Sequence, residues 1–167
     1  MMSLEYDLYQ SPVGEIFFAA QGDKLCFLDF NDNDGRIDKL LRQRFGDYEL
    51  TKKPGLLDVS HRLDRYFQGD SDAFDEIELE TYGTEFQQNV WRQLRKIDSG
   101  SSISYDQLAR NVGNPKAVRA VASANARNPI AIIIPCHRVI GKNGSMRGYA
   151  GGVERKIWLL QHEGAIL

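Results

Sequence analysis

The chain has 167 residues, 42% hydrophobic and 26% charged, with a formal net charge of −2. That profile fits a soluble globular protein of one domain or two small ones, long enough to bury a core. No apolar run approaches the ~18–20 residues of a membrane span, the N-terminus lacks the basic-then-apolar pattern of an export signal, and two cysteines exclude a disulfide framework. The expected location is cytoplasmic. Charge is unevenly spread: residues 1–83 hold 9 Lys and Arg against 18 Asp and Glu, and residues 84–167 hold 12 against 5. A split of this kind points the second half toward a polyanion.

In the first half, Leu4, Tyr6 and Leu8 alternate with polar residues as in a half-buried strand. Ser11-Pro12-Val13-Gly14 forms a turn into a second strand over residues 15–20, and Gln21-Gly22-Asp23-Lys24 closes a hairpin onto residues 25–30. Asn33 or Asp34 can cap a helix with Ile37, Leu40, Leu41 and Phe45 at helical spacing, stopped by Gly46. A second helix follows Pro54-Gly55, with Leu56, Val59, Leu63, Tyr66 and Phe67 inward. Residues 70–80 are acidic and irregular, with Ile77 and Leu79 marking a short strand. This acidic α+β unit shows no chemistry, and Cys26 has no companion that would make it a metal ligand.

The composition changes at Tyr82-Gly83, so the expected domains are 1–81 and 82–167. Thr84-Glu85-Phe86-Gln87 reads as a capping box, followed by a helical stripe of Phe86, Val90, Leu94 and Ile97. Ser104-Tyr105-Asp106-Gln107 reads as a second capping box. Asn114-Pro115 then supplies an N-cap and a first-turn proline for a third helix from Lys116 to about Arg127. The last two helices form a helix-turn-helix. At ~100° per residue, Val118, Val121, Ala122 and Asn125 fall on an inward arc. Lys116, Arg119, Ala120, Ser123, Ala124 and Arg127 fall on the opposite arc, basic residues around a floor of small ones. Such a face can lie close to a nucleic-acid backbone while its cations meet phosphates.

Ile132-Ile133-Ile134-Pro135-Cys136-His137-Arg138-Val139-Ile140 reads as buried extended chain that delivers Cys136 at the end of a rigid segment. Taken alone, Cys136 is a core cysteine; its company of His, Arg and the later Gly148-Tyr149-Ala150-Gly151-Gly152 shifts the balance toward chemistry. The last helix runs from Val153 to His162 and ends at Gly164. Glu163 opposes the helix dipole there, and a partner such as His137 would explain it.

With these residues in hand, the sequence resembles the methylated-DNA–protein-cysteine methyltransferases, the O6-alkylguanine-DNA alkyltransferases. Pro135-Cys136-His137-Arg138-Val139 is similar to that family's signature. Asn114-Pro115 with Arg119, Asn128-Pro129, Gly148-Tyr149 with Gly151-Gly152, and His162-Glu163-Gly164 stand in the family's order. The resemblance implies an α+β chain: a small hairpin-rich, ribonuclease H-like α/β domain, then a mostly helical helix-turn-helix domain of winged-helix type. It implies that Cys136 accepts the alkyl group irreversibly, one molecule per lesion, with His137 and Glu163 activating it. Tyr105 would meet the extruded guanine, Arg119 would fill the stack it leaves, and Asn128 would brace the turn before the Cys segment. Lys116, Ala120, Ser123, Ala124 and Arg127 would meet double-stranded DNA through the minor groove. Ala131, Pro135, Val139, Tyr149, Ala150 and Gly151 would shape the pocket. O6-alkylguanine is the implied substrate, O4-alkylthymine a second candidate, and a monomer without cofactor or metal is expected.

Three departures from the family's pattern concern the N-terminal half and the pocket. The Cys/His set that holds zinc in some members is missing, Ala131 stands where some have proline, and Arg147 stands where some have glycine. Two other readings use the same residues. A Cys-His-Glu hydrolase would turn over repeatedly but leaves the helix-turn-helix unexplained. A non-enzymatic DNA-binding regulator would make Cys136 a core cysteine, but the relatives of this family that only bind lesions lack that cysteine.

Overall fold

β1 (Met2–Ser11), β2 (Gly14–Gln21) and β3 (Lys24–Phe30) make two successive antiparallel hairpins. The computed structural model describes residues 1–167, in two units, Met1–Thr81 and Tyr82–Leu167. In β2 every residue from Ile16 to Ala20 is buried, so this central strand is covered on both faces and reads as an unbroken apolar run. A further strand, β4 (Tyr48–Lys52), pairs in parallel with β1 from Met2↔Tyr48 to Tyr6↔Lys52 and completes the order β3-β2-β1-β4. It is a polar edge strand, Tyr-Glu-Leu-Thr-Lys, with no alternation strong enough to announce it.

Helix α1 (Arg36–Phe45) buries Leu41 and starts from Gly35 in the left-handed region; neither Asn33 nor Asp34 is its N-cap, although the Asp34 carboxylate accepts the Arg36 amide at 3.1 Å. A 3-10 turn at Leu56–Asp58 leads into α2 (Val59–Phe67), which buries Val59, Leu63 and Tyr66. Over residues 70–80 the expected short strand is reduced to one isolated parallel bridge, Leu25↔Leu79.

In the second unit, α3 (Glu85–Leu94) carries the expected reciprocal capping box between Thr84 and Gln87. It buries Val90, Trp91 and Leu94, and the Trp91 indole donates to the Ala124 carbonyl at 2.9 Å. Gly83 lies under that indole: a Cβ there would stand 2.8 Å from the ring, at a φ of +81°. A two-residue strand β5 (Ile103–Ser104) precedes α4 (Tyr105–Asn111). Ser104 caps α4 by accepting the Gln107 amide, but the Gln107 side chain turns to Asn111 and Arg110, so only half of the second capping box forms. Helix α5 (Val118–Ala126) begins later than expected, because the Ala117 amide closes a turn onto the Asn114 carbonyl and leaves Lys116 outside the helix. Strand β6 (Val139–Ile140) pairs in parallel with β5, and α6 (Val153–His162) closes the unit. No helix is long and apolar enough to cross a membrane.

The isoleucine run departs most from expectation: it is buried, but it is not extended. The Ile133 amide bonds back to the Ala131 carbonyl, Ile134 to Ile130, and Cys136 to Ile134, so the backbone advances in tight turns into a 3-10 turn over Cys136–Arg138. A strand would have needed neighbours on both sides for its amides. Here the segment satisfies those groups locally, with the help of Asn128.

Candidate active site

Asn128 follows the C-terminus of α5, and its side chain spans the turn beyond it. Its amide nitrogen donates to the Ile134 carbonyl at 2.7 Å, and its oxygen accepts the Ile130 amide at 3.0 Å. The Cys136 amide bonds the same Ile134 oxygen at 2.8 Å. Cys136 itself is 5% exposed, and its carbonyl receives the Asn125 amide at 3.4 Å from the inward arc of α5.

His137, next on the 3-10 turn, is fully buried and meets Glu163 at 2.8 Å between Nε2 and Oε2. Arg138 grips the same carboxylate, with Nε 2.8 Å from Oε1 and Nη2 3.0 Å from Oε2, while its Nη1 donates to the Ile97 carbonyl at 2.6 Å. Burial alone would raise the Glu163 carboxyl. Hydrogen bonds from His137 and Arg138 outweigh it and hold Glu163 well below the usual carboxylate range. For His137 burial dominates, and despite Glu163 its pKa lies below the ordinary value. An ionised carboxylate accepts only, so Nε2 carries the proton that faces Glu163 and Nδ1 of the neutral ring keeps its lone pair. Nδ1 is buried and has no hydrogen-bond partner among the protein's own atoms. Nδ1 is therefore the ring atom that can take up a proton.

Tyr105 opens α4, half-buried, and a Cβ on Gly148 would stand 3.4 Å from its hydroxyl. Burial raises the Tyr105 phenol, the charge of Cys136 adds to the rise, and the Asn125 amide offsets part of it. Tyr105 therefore remains a proton donor at neutral pH. Tyr149 is buried, with its ring edge-on to His137 at 6.4 Å, and Ala131, Pro135 and Val139 are buried on the Cys segment. Ala150 is exposed and Gly151 partly so. Of the basic face, Arg119, Ala120, Ser123 and Arg127 are exposed on or just after α5, and Lys116 is exposed on the turn before it. Ala124 leaves that face: it is 3% exposed and packs inward, where its carbonyl takes the Trp91 indole.

A profile described as the ribonuclease-like domain of 6-O-methylguanine DNA methyltransferase matches residues 4–81, and one described as the DNA-binding domain of the same protein matches residues 85–165. A methylated-DNA–protein-cysteine methyltransferase of Methanosarcina acetivorans is 41% identical over 96% of this chain and 98% of its own length. This chain belongs to the methylated-DNA–protein-cysteine methyltransferases. A Salmonella typhimurium member is likewise 41% identical, over 100% of this chain and 99% of its own. The fold agrees with the crystal structure of the Mycobacterium tuberculosis O6-methylguanine methyltransferase at a TM-score of 0.83, with 38% identity over 97% of this chain and 93% of that one. An OGT structure from the same organism in complex with DNA matches at 0.81, with 37% identity over 98% and 94%.

Three residues of this methyltransferase's site escaped sequence reasoning. Arg138 lay inside the signature without a role, although an Arg beside a His-Glu pair is the natural fork for a carboxylate. Asn125 was visible only as a polar residue on the inward arc. Lys156 gave no signal at all in the sequence: it is 0% exposed, and its amine donates to the Val139 carbonyl at 2.6 Å.

Proposed function

We infer that the protein repairs DNA by taking the alkyl group of O6-alkylguanine onto Cys136, once per molecule. The observation that carries this reading is the 2.8 Å contact between His137 Nε2 and Glu163 Oε2, which leaves Nδ1 as the basic atom beside the thiol's own turn. The thiol passes its proton to Nδ1, directly or through one water. Sulfur attacks the alkyl carbon in line; the S–C bond forms as the C–O6 bond breaks, and that bond's electrons stay with the purine. The purine takes a proton from the Tyr105 phenol, and the proton on His137 returns to Tyr105 through solvent. Thiol and O6-alkylguanine thus become thioether and guanine. A thioether offers water no carbonyl to attack, so the site does not recover.

The target base must leave the duplex to reach a buried thiol, which costs a few kcal/mol of unstacking and least for a poorly paired base. Arg119 occupies the space it leaves. Ala120 and Ser123 allow α5 close to the minor groove, where Lys116, Arg119 and Arg127 meet phosphates. The carbonyls of Cys136 and Val139 accept the guanine amine. O4-alkylthymine is a second candidate substrate, the protein acts as a monomer, and the cytoplasm is its compartment. Intact-protein mass after incubation with a duplex carrying O6-methylguanine tests the reading: a gain of one methyl per chain, mapped to Cys136, is expected. Repeated turnover without a mass gain would overturn it.

A further inference from the structure

Seven non-glycine residues have positive φ, and Ile132, at +70°, is the one β-branched residue among them. For such a side chain the left-handed region is a true outlier, and it persists only where the surroundings over-determine it. The hydrogen bond across Ile132, from the Ile133 amide to the Ala131 carbonyl at 2.8 Å, closes a three-residue γ-turn, and the sign of φ puts it in the rare, strained form of that turn. Pro135, at φ −83° and ψ 65°, sits at the centre of a second three-residue turn, closed by Cys136 onto Ile134. This one is the relaxed form. The strain is therefore confined to Ile132, four residues before the sulfur.

What holds it is on either side. Ile130, Ile132 and Ile134 are at most 1% exposed. Asn128 grips the amide of Ile130 and the carbonyl of Ile134, the positions two before and two after Ile132. The Ile134 amide also bonds the Ile130 carbonyl at 3.0 Å. The Ile134 oxygen that Asn128 holds is the one that receives the Cys136 amide. Glycine at position 132 would adopt this turn among many other conformations. Isoleucine has no local reason to be there, so the backbone that leads to Cys136 has one position while the clamp is closed and leaves it when the clamp opens.

We propose that Ile132 is a positioning residue for the transfer reaction: its strained turn, held shut by Asn128, fixes the Cys136 sulfur for in-line attack. This rests on Cys136 being the acceptor. The consequence is unusual in that relieving the strain should improve stability and harm the reaction, which a residue that only fills space does not do.

The test compares Ile132→Ala, which keeps the strained backbone, with Ile132→Gly, which relaxes it. The glycine variant is expected to melt at or above the alanine variant, the reverse of the usual order. It is also expected to transfer from an O6-methylguanine duplex about tenfold more slowly, since a sulfur displaced by a fraction of an ångström loses its alignment. Reaction of Cys136 with iodoacetamide, which needs no alignment, should be equal in both. Asn128→Ala should slow transfer in the native background and add nothing in the Ile132→Gly background. A glycine variant that melts below the alanine variant, or that transfers as fast, overturns the proposal. If neither variant folds, amide exchange in the unaltered protein decides: an Ile133 amide protected like that of Cys136 supports the strained turn, and one that exchanges like an open loop rejects it. Absence of an adduct on Cys136 in the unaltered protein removes the acceptor reading and this proposal with it, whereas the melting order alone tests the strain.

Discussion

The Lys156 amine lies 2.6 Å from the Val139 carbonyl oxygen, and both residues are 0% exposed. Burial lowers the Lys156 pKa, and the charge of Cys136 opposes that fall. A buried ammonium without a carboxylate is costly, and the negative charge that favours it is that of the Cys136 sulfur once deprotonated. Lys156→Met should therefore leave melting unchanged or raise it, because the replacement fills a similar volume without a buried charge. It should also cut transfer at neutral pH by about tenfold, the equivalent of one pKa unit. Raising the pH should recover much of the loss. A variant that transfers normally while melting lower would show that the amine serves only to hold Val139.

The His137–Glu163 pair makes stability and rate depend on pH in the same direction. His137 is held below its ordinary 6.5 by burial, so the unfolded chain binds more protons than the folded one as pH drops below that value. Its contribution is full above 6.5 and is lost toward its lower folded value. Glu163 is also depressed, so its contribution is full above its ordinary 4.5 and is lost as pH falls further. Urea midpoints should be level from pH 8 to about 6.5 and then decline, at up to about 1.4 kcal/mol per pH unit for each group. Transfer should hold through the start of that decline and fall only toward the lower folded value, since a protonated His137 cannot accept the thiol proton. A midpoint that rises on acidification would contradict the assignment of a neutral buried imidazole.

Cys136→Ser should abolish transfer while keeping affinity for the lesion, because the exposed basic face of α5 is untouched. Cys26 is no substitute: burial pushes its thiol up to about 11, which leaves almost no thiolate at neutral pH. Intact mass should show no adduct on either residue of the Ser variant, and a fluorescence titration with lesion-bearing duplex should match the unaltered protein. An adduct on Cys26 would sink this assignment.

Arg119→Ala should slow transfer from duplex DNA by 10-fold or more, about 1.4 kcal/mol, and leave transfer from free O6-benzylguanine within about twofold. Arg119 is exposed near the start of α5, so it can act on DNA without touching the thiol's surroundings. Equal losses on both substrates would mean that Arg119 supports the fold or the pocket.

How much of this was legible in the sequence differs from element to element. The alternation in β1, the Thr84 capping box and the apolar stripe of α2 are local signals, and these three survive into the structure. β4 was not legible, because an edge strand of Tyr, Glu, Leu, Thr and Lys carries no period of its own and is held by pairing with β1, over forty residues away. The isoleucine run misled for a related reason. β-branched residues favour extended chain, yet Asn128 and three short-range hydrogen bonds satisfied the backbone without a sheet. At the site, Cys136, His137 and Glu163 could be paired by reasoning about a misplaced acid. Lys156 could not, since a cation's burial is set by what folds over it.

Alkylation should itself destabilise the protein. Cys136 is 5% exposed between the buried Pro135 and His137, in a segment whose isoleucines from 132 to 134 are 1–6% exposed, and close-packed interiors register even one added methylene. Overpacking costs about 1–3 kcal/mol, a large share of the ~5–15 kcal/mol that holds a domain together. The methylated protein should melt a few degrees lower than the fresh one and be cut faster by protease. A benzyl adduct should lower it further, although Ala131, small and 8% exposed, gives the ring more room than a bulkier wall would. Ala131→Pro should therefore widen the gap between the benzylated and methylated forms. Melting curves of the fresh, methylated and benzylated protein in both backgrounds decide the matter: coincident curves would mean that the pocket takes the adduct without strain.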